Sequence, residues 1–316
     1  MSRIPLPQYR IAFPSALVNA YLFALAPLAA AALWGGLYVV SKWGFDSIPP
    51  ITLAFFRVAV GATALLLVVR LLYPTRAFSR RDLGGFVALG AIVAASIATQ
   101  FLGTALTTAS QGSLVTVLTP VFTVFLGIII LGERLSRNLV VGISLATVGT
   151  IVVLSGQYDV GELAGGATTG IGMLLLASAT WAAYTVWGKP LIDRYSALET
   201  AAYSCAAAVP LLAVAVPLEV WTTDVSLRAL EVTPSLVVAV LYLGLLGTAA
   251  AWYLWYKGLE YVDASVLSAF FFAQPVVGAL FGAALLGEDL GSRFVLGGVV
   301  MAVGVYLVST TRVETG

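Results

Sequence analysis

One pattern occurs twice in this chain, and each copy consists almost entirely of long apolar runs. Residues 32–42 read Ala-Leu-Trp-Gly-Gly-Leu-Tyr-Val-Val-Ser-Lys, and residues 179–189 read Ala-Thr-Trp-Ala-Ala-Tyr-Thr-Val-Trp-Gly-Lys. A second pair of segments, at 119–133 and 274–288, each joins a proline to a later Leu-Gly-Glu. A duplicated unit with an odd number of membrane spans places its copies in opposite orientations, so the repeat predicts an inverted arrangement typical of alternating-access transporters.

Composition places the chain in a membrane and limits its chemistry. Hydrophobic residues make up 60% of the chain, charged residues 10%, and the mean hydropathy is +1.00, which leaves too little polar surface for a soluble globule. The net charge of +1 comes with no basic patch, so no nucleic-acid partner is expected. Because the chain has one cysteine, Cys205, and no histidine, we expect no metal site, no cofactor and no histidine-based catalysis.

The apolar runs predict an all-α integral membrane protein with ten transmembrane helices. Each run is long enough to cross roughly 30 Å of hydrocarbon, and the alternation expected of a membrane barrel is absent. The predicted spans are 22–43, 51–73, 83–105, 111–131, 138–155, 170–191, 198–219, 234–257, 263–286 and 293–311.

The turn residues between the runs divide the chain into two five-helix repeats. We expect a cytoplasmic N-terminal segment at 1–21, a first repeat at 22–155, an extracytoplasmic linker at 156–169, a second repeat at 170–311 and a cytoplasmic tail at 312–316. A cleaved signal peptide at the start is disfavoured because the apolar stretch is longer than the usual apolar core of such a peptide.

The distribution of Lys and Arg predicts the orientation. Twelve of the 16 basic residues fall in the termini and in the loops on one face of the ten-span topology. The positive-inside rule then places both termini in the cytoplasm, and we expect the protein in the inner membrane of the cell. The twelve residues are Arg3, Arg10, Arg70, Arg76, Arg80, Arg81, Arg134, Arg137, Lys189, Arg194, Lys257 and Arg312.

Several of these motifs, in their order and duplication, resemble the EamA repeat of the drug/metabolite transporter superfamily. The resemblance covers both halves and is carried by residues 55–57, 103–120, 131–136, 253–259 and 274–288. It implies a ten-helix exporter of small metabolites, built from two inverted five-helix repeats around a central cavity. Because a subset of the family exports amino acids, including aromatic ones, the resemblance suggests that substrate class.

Pro120 and Pro275 each lie inside an apolar run, where proline bends or breaks a helix. Thr119 and Gln274 directly precede them, so each bent helix carries polar groups that would be costly against lipid. These groups either line a cavity, where they allow gating at the proline, or repair the bend and join helices.

Aromatic and amide side chains at mid-span depth are the candidate substrate contacts. An indole at this depth needs a polar partner or a wet cavity, and the alternative is that these aromatic side chains face lipid or pack in the protein core. The candidates are Trp34, Tyr38, Gln100, Thr119, Trp181, Tyr184, Trp252, Tyr256 and Gln274.

Few charges approach the membrane interior. Arg57 is a candidate either for a structural ion pair or for attraction of an anionic substrate group, and Lys42 is expected to extend to the interface. Glu133 and Glu288 lie at matching helix ends and are expected to pair with nearby arginines, as a structural motif or as gates. No acidic residue lies clearly at mid-span, so proton coupling is not supported.

Together these observations predict a transporter rather than an enzyme. We expect it to export small metabolites, with amino acids including aromatic ones favoured, by alternating access at a midplane cavity. Other amphipathic metabolites or drugs are the alternative substrates, and an intramembrane enzyme or a channel are the competing classes. A small-molecule substrate and the lipid bilayer are the expected partners, and the protein is expected to be monomeric.

Overall fold

A computed structural model gives the fold of the chain. It describes residues 17–107, 112, 115, 118–157, 168–223, 232–277 and 291–309, and the regular secondary structure within these ranges is helical. The predicted tail and Glu288 lie outside the described residues, as do most of the predicted linker and most of the predicted N-terminal segment.

The described part of the first half contains six α-helices. They are α1 Leu17–Gly35, α2 Leu37–Phe45, α3 Pro50–Leu72, α4 Arg80–Ala105, α5 Thr119–Leu126 and α6 Arg137–Gln157. A π-helical turn, Gly127–Leu131, continues α5.

The described part of the second half is helical as well. Its α-helices are α7 Thr168–Arg194, α8 Ala197–Thr223, α9 Pro234–Leu241, α10 Ala251–Leu259, α11 Ala264–Ser268 and α12 Ser292–Ser309. A π-helical segment, Tyr242–Ala250, joins α9 to α10, and a 3₁₀ turn, Ala269–Phe272, continues α11.

Among the described residues, six helical stretches are long and apolar enough to cross a membrane. These are Leu25–Phe45, Pro50–Leu72, Arg80–Ala105, Thr169–Arg194, Ala197–Thr223 and Pro234–Leu259. Shorter apolar helices at Thr119–Leu131, Arg137–Val153, Ala264–Val277 and Ser292–Val308 fall in the other four ranges that the sequence predicts as spans. The predicted membrane-spanning, all-helical class is therefore confirmed.

Helices from the two halves pack against each other throughout the bundle. α3 packs on α8, α4 on α7 and α8, α1 on α10, and α5 on α7 and α11. α6 and α12 form a pair of their own, and glycines bring their backbones together. A Cβ on Gly149 would lie 2.6 Å from the carbonyl of Gly297, and one on Gly142 would lie 2.7 Å from that of Gly304. Small residues at such crossings permit close helix packing within a membrane.

Matching lysines cap helix ends in the two halves. The ammonium of Lys42 at the end of α2 donates to the carbonyl of Thr107, 2.5 Å away, just past the end of α4. Lys189 near the end of α7 donates to the carbonyl of Leu259, 2.6 Å away, at the end of α10. Each lysine thus satisfies carbonyls that have no partner within their own helix. The expectation that Lys42 extends to the membrane interface stays a prediction.

Glu133 caps the start of another helix. Gly132, with φ of +69°, ends the turn that follows α5 in a left-handed conformation suited to glycine. The Glu133 carboxylate then accepts hydrogen bonds from the backbone N–H groups of Ala264, at 2.8 Å, and Ser265, at 3.1 Å. The Ser265 hydroxyl also donates to it. The expectation of an arginine partner for Glu133 is wrong, because the positive N-terminal end of α11 takes that place.

Candidate functional site

Helical segments from both halves of the bundle surround one central cavity. Its lining includes seven of the nine side chains predicted as substrate contacts, and these come from both halves of the chain. The seven are Trp34, Tyr38, Gln100, Thr119, Trp181, Trp252 and Gln274.

Tyr184 and Tyr256 are not part of this lining. Both are fully buried, and their rings stack with centroids 4.7 Å apart. The Tyr256 hydroxyl donates to the carbonyl of Tyr184 at 2.9 Å, and the Tyr184 hydroxyl lies 3.0 Å from that of Ser204. The two tyrosines join α7, α8 and α10 beside the cavity.

The rings that face the cavity form a continuous aromatic cluster. Trp34 packs edge-on against Trp181 at 5.2 Å and stacks on Phe271 at 5.3 Å. Trp181 packs in turn against Trp252 at 5.2 Å. Offset and edge-to-face contacts of this kind stabilise aromatic clusters, and their faces are suited to a flat apolar ligand.

A π-helical segment beside the cavity supplies a carbonyl that two side chains share. The Trp34 indole N–H donates to the carbonyl of Gly247 at 2.8 Å, and the Arg57 guanidinium donates to the same oxygen at 3.3 Å. The Nε of Arg57 also donates to the Thr248 hydroxyl, 2.9 Å away. π-Helical turns change the carbonyl pattern of a helix and are frequent at functional sites.

Arg57 forms the charged part of the cavity wall. Its side chain is 2% exposed, and its Nη1 donates to Gln100 Oε1 at 3.2 Å. Gln100 Nε2 in turn donates to the Tyr38 hydroxyl at 3.3 Å, and the guanidinium lies 5.4 Å from the centroid of the Phe101 ring. Among the residues that the structure describes, no Asp or Glu forms an ion pair with Arg57.

Three buried polar groups of the wall have no hydrogen-bond partner in the described part of the chain. They are the Ser178 hydroxyl and the indole N–H groups of Trp181 and Trp252. Buried donors are nearly always satisfied, so such groups commonly mark a place that water or a ligand completes. Among the described residues, no group of three or more His, Cys, Asp or Glu side chains could hold a metal ion.

The polar and aromatic parts of the cavity lie at different depths. We name the two faces of the bundle after their capping lysines. The Lys42 face is the one at which α2 and α4 end and α3 begins. The Lys189 face is the one at which α7 and α10 end. Tyr38 lies one turn before Lys42, and Arg57 lies two turns into α3, so the polar wall is nearer the Lys42 face. The Tyr184–Tyr256 stack lies towards the Lys189 face.

The cavity is small, with a volume of about 40 Å³. This is room for a few water molecules, whereas pockets for small organic ligands measure roughly 300–1,000 Å³. An organic ligand therefore requires the aromatic side chains or their helices to move apart.

Sequence reasoning omitted Ser178 and Phe271 from the predicted contacts. Each lies three residues before a predicted contact, Trp181 and Gln274 respectively, and therefore on the same face of its helix. Helical spacing from the predicted residues could have found them.

The predicted prolines adjoin irregular backbone. Pro120 is the second residue of α5, which begins after a turn at Leu118, and Pro275 follows the 3₁₀ turn that ends at Phe272. Glu133 lies at the Lys189 face, away from the cavity lining. A gating role for Pro120, Pro275, Glu133 and Glu288 stays a prediction.

Comparison with known families gives a match in each half of the chain. Residues 20–155 and residues 168–310 each match the EamA-like transporter family.

Full-length relatives carry transporter names. An uncharacterized transporter of Archaeoglobus fulgidus is 30% identical over 88% of this chain and 95% of its own length. A probable amino-acid metabolite efflux pump of Salmonella typhimurium is 25% identical, covering 87% of this chain and 90% of its own. A probable terminal-alkyne amino-acid exporter of Streptantibioticus cattleyicolor is 27% identical, covering 87% of this chain and 89% of its own.

A solved crystal structure shares the fold. It covers 90% of this chain and 96% of its own, with a TM-score of 0.72 and 20% sequence identity.

Proposed function

Because the chain belongs to the EamA-like transporter family, we propose that this membrane protein exports small amphipathic metabolites, with amino acids, aromatic ones included, as favoured substrates. The observation that carries the proposal is the central cavity, to which both halves contribute aromatic rings and polar side chains. A site at the interface of two repeats is the arrangement that alternating access requires. The names of the relatives from Salmonella typhimurium and Streptantibioticus cattleyicolor favour amino acids over other metabolites.

We further propose that ten helices form two inverted repeats. A two-fold axis in the membrane plane would exchange α3 with α8 and α6 with α12. The same axis would place the packed pair α4–α7 on the packed pair α10–α1. The two capping lysines support this relation. Lys42 on the first predicted span caps the end of α4 in the third, and Lys189 on the sixth caps the end of α10 in the eighth.

In the proposed orientation the Lys189 face is cytoplasmic, following the excess of Lys and Arg predicted there. The layer formed by Trp34, Trp181 and Trp252, with the Tyr184–Tyr256 stack beyond it, then separates the polar wall from the cytoplasm. Export requires this layer to part so that a cytoplasmic substrate reaches the polar wall. The small volume of the cavity is consistent with that requirement.

Transport by purified protein in liposomes tests the proposal. Vesicles are loaded with a labelled panel of aromatic amino acids, aliphatic amino acids and non-amino-acid amphiphiles, and flux is followed with and without imposed proton and voltage gradients. We expect saturable flux of aromatic amino acids that unlabelled substrate inhibits. Flux that rises linearly with substrate concentration and is not inhibited by unlabelled substrate would indicate a channel. Transport of the non-amino-acid amphiphiles alone would assign other amphipathic metabolites as the substrate class.

Trp181→Leu gives the matched test of the site. We expect it to weaken the apparent affinity for aromatic substrates by roughly 2- to 10-fold, because a stacking contact contributes about 0.5–1.5 kcal/mol. Trp221→Leu is the control, since that indole is 78% exposed on the outside of α8. Equal effects of the two substitutions would contradict a role for the aromatic cluster in binding.

A further inference from the structure

The cavity wall carries an excess of hydrogen-bond donors that have no partner among the described residues. The Arg57 guanidinium carries five N–H groups. Three of them meet the neutral acceptors Thr248, Gln100 and Gly247, so one N–H on each terminal nitrogen has no partner in the described part of the chain. The unpartnered donors of Ser178, Trp181 and Trp252 add to this excess.

This excess is energetically unfavourable unless something supplies acceptors. A buried donor without a partner costs about 1–3 kcal/mol, and a buried charge without a counter-charge costs more. A carboxylate has two oxygens that accept about four hydrogen bonds, and its geometry matches the two terminal nitrogens of a guanidinium. One carboxylate can therefore neutralise Arg57 through two hydrogen bonds and keep acceptor positions for other donors of the wall.

The charge of the wall favours one carboxylate over other anions. Arg57 is the only Lys or Arg among the described residues that line the cavity, so it balances one negative charge. A phosphate monoester, which carries nearly two charges at neutral pH, would bring an uncompensated charge into a buried site.

The same wall lacks an ionic partner for an ammonium group. No Asp or Glu occurs among the described residues of the lining, so the α-ammonium of an amino acid would meet ring faces and amide oxygens only. A ring face attracts a cation by about 0.5–2 kcal/mol, less than a charge-assisted, bidentate pair provides.

We propose that the cavity recognises its substrate through a single carboxylate bound by Arg57 and the free indole and hydroxyl donors, and that a substrate ammonium is dispensable. The proposal deepens and rests on the proposed export function. The ligand class is a compact monocarboxylate with an aromatic or apolar body, and amino acids are one case of it. The body packs on the rings of Trp34 and Phe271, while the carboxylate points towards the Lys42 face.

A ligand series on the unaltered protein tests the proposal. Binding of L-phenylalanine, 3-phenylpropanoate, phenethylamine and phenylalaninamide to the purified full chain is measured by calorimetry, and each compound is also used to inhibit efflux of labelled phenylalanine. We expect 3-phenylpropanoate, which lacks the ammonium, to bind within about 5-fold of phenylalanine. Phenethylamine and phenylalaninamide, which lack the carboxylate, should bind at least about 30-fold more weakly. Phenyl phosphate should also bind more weakly than 3-phenylpropanoate.

Variants assign the preference to the named donors. Arg57→Gln should remove the preference for acid over amine, and Arg57→Lys, which keeps the charge but not the two-nitrogen geometry, should retain part of it. Trp181→Phe should weaken 3-phenylpropanoate binding by about 3- to 10-fold because it removes one free donor. Trp255→Phe is the matched control, since that indole donates to Thr185 at 3.0 Å and does not line the cavity, so the acid-to-amine ratio should not change.

The two readouts separate failure of this proposal from failure of the export function. If phenylalanine efflux is saturable but amine and acid bind equally, the carboxylate proposal is wrong and export stands. If 3-phenylpropanoate binds with the expected preference but nothing in the panel is transported, the recognition stands and the export function is wrong. Absence of 3-phenylpropanoate binding overturns the carboxylate proposal in either case.

Discussion

At the scale of single residues, Glu133 illustrates how a charge near a membrane surface can be satisfied by backbone. Its carboxylate accepts from two N–H groups and one hydroxyl at the start of α11. Neighbouring arginines suggest an ion pair on sequence proximity alone, yet the exposed Arg134 is not its partner. Hydrogen bonds to a charged group contribute about 1.5–3 kcal/mol each at most, so Glu133 fixes the position of α11 against the end of α5.

Glu133→Ala should therefore lower the free energy of unfolding by about 1–3 kcal/mol, because it leaves the first N–H groups of α11 without acceptors. Thermal unfolding of the detergent-purified protein measures this. Arg134→Ala is the control and should change stability by less than about 0.5 kcal/mol. A loss at Arg134 equal to that at Glu133 would restore the ion-pair interpretation.

Seven of the nine contacts predicted from residue type and depth line the cavity, but these features do not give the direction in which each side chain points. Trp181 and Tyr184 are three residues apart on α7, and only Trp181 lines the cavity. In a helix that is apolar on most sides, neither periodicity nor composition fixes its rotation about its own axis. That rotation depends on packing with distant helices, such as the stack of Tyr184 on Tyr256 of α10.

At the scale of helices, glycines determine how closely neighbours approach. Thr123 with Gly127, and Gly278 with Gly282 outside the described residues, show the four-residue spacing of small residues that is typical of close helix contacts. The backbone contacts between α6 and α12 instead use Gly149 and Gly297, with a second crossing seven residues away on each helix. Composition alone does not distinguish a glycine at a helix crossing from one that faces lipid, because the distinction depends on the partner helix.

Gly149→Ala should destabilise the protein by about 1–3 kcal/mol, since the new methyl group meets the rigid backbone of α12. Gly298→Ala on α12 is the matched control, because a Cβ there meets nothing within 4 Å. The control should be neutral or stabilising by up to about 1 kcal/mol through helix propensity. Thermal unfolding compares the two, and equal stabilities would contradict the close α6–α12 crossing.

Gly188 provides a similar test at the crossing of α7 and α10. A Cβ there would overlap the hydroxyl of the fully buried Tyr256, whereas a Cβ on Gly172 of the same helix meets nothing within 4 Å. We expect Gly188→Ala to lower stability by about 1–3 kcal/mol and to disturb the Tyr184–Tyr256 stack, while Gly172→Ala leaves both unchanged or stabilises the helix. Unfolding temperature and near-ultraviolet circular dichroism report the two effects.

At the scale of the whole molecule, the membrane class and the duplication were predictable because they depend on properties summed over long stretches of the chain. Twenty or so apolar residues suffice to cross the hydrocarbon, whatever their order. The irregular segments were harder to predict, since the π-helical segment Tyr242–Ala250 lies within a continuous apolar run with no proline. Its geometry is stabilised from outside by Trp34 and Arg57, which both donate to the carbonyl of Gly247.

The orientation of the molecule gives the last prediction, because it decides whether the aromatic layer faces the cytoplasm. Ala77 lies exposed just before α4 on the Lys189 face, and Val232 lies exposed just before α9 on the Lys42 face. Ala77 is a better position for a cysteine reporter than Ser79, two residues later. The Ser79 hydroxyl accepts a hydrogen bond from the N–H of Asp82 at 3.1 Å and caps α4, so its replacement would remove that cap. The native Cys205 is fully buried, so it can remain in place and the parent chain should not react with a polar thiol reagent.

If the excess of basic residues sets the orientation, Ala77→Cys should react with a membrane-impermeant reagent only after the cells are opened, and Val232→Cys should react in intact cells whose outer barrier is permeable to the reagent. The opposite pattern would place the aromatic layer towards the exterior, and the order in which the cavity opens during export would have to be reversed.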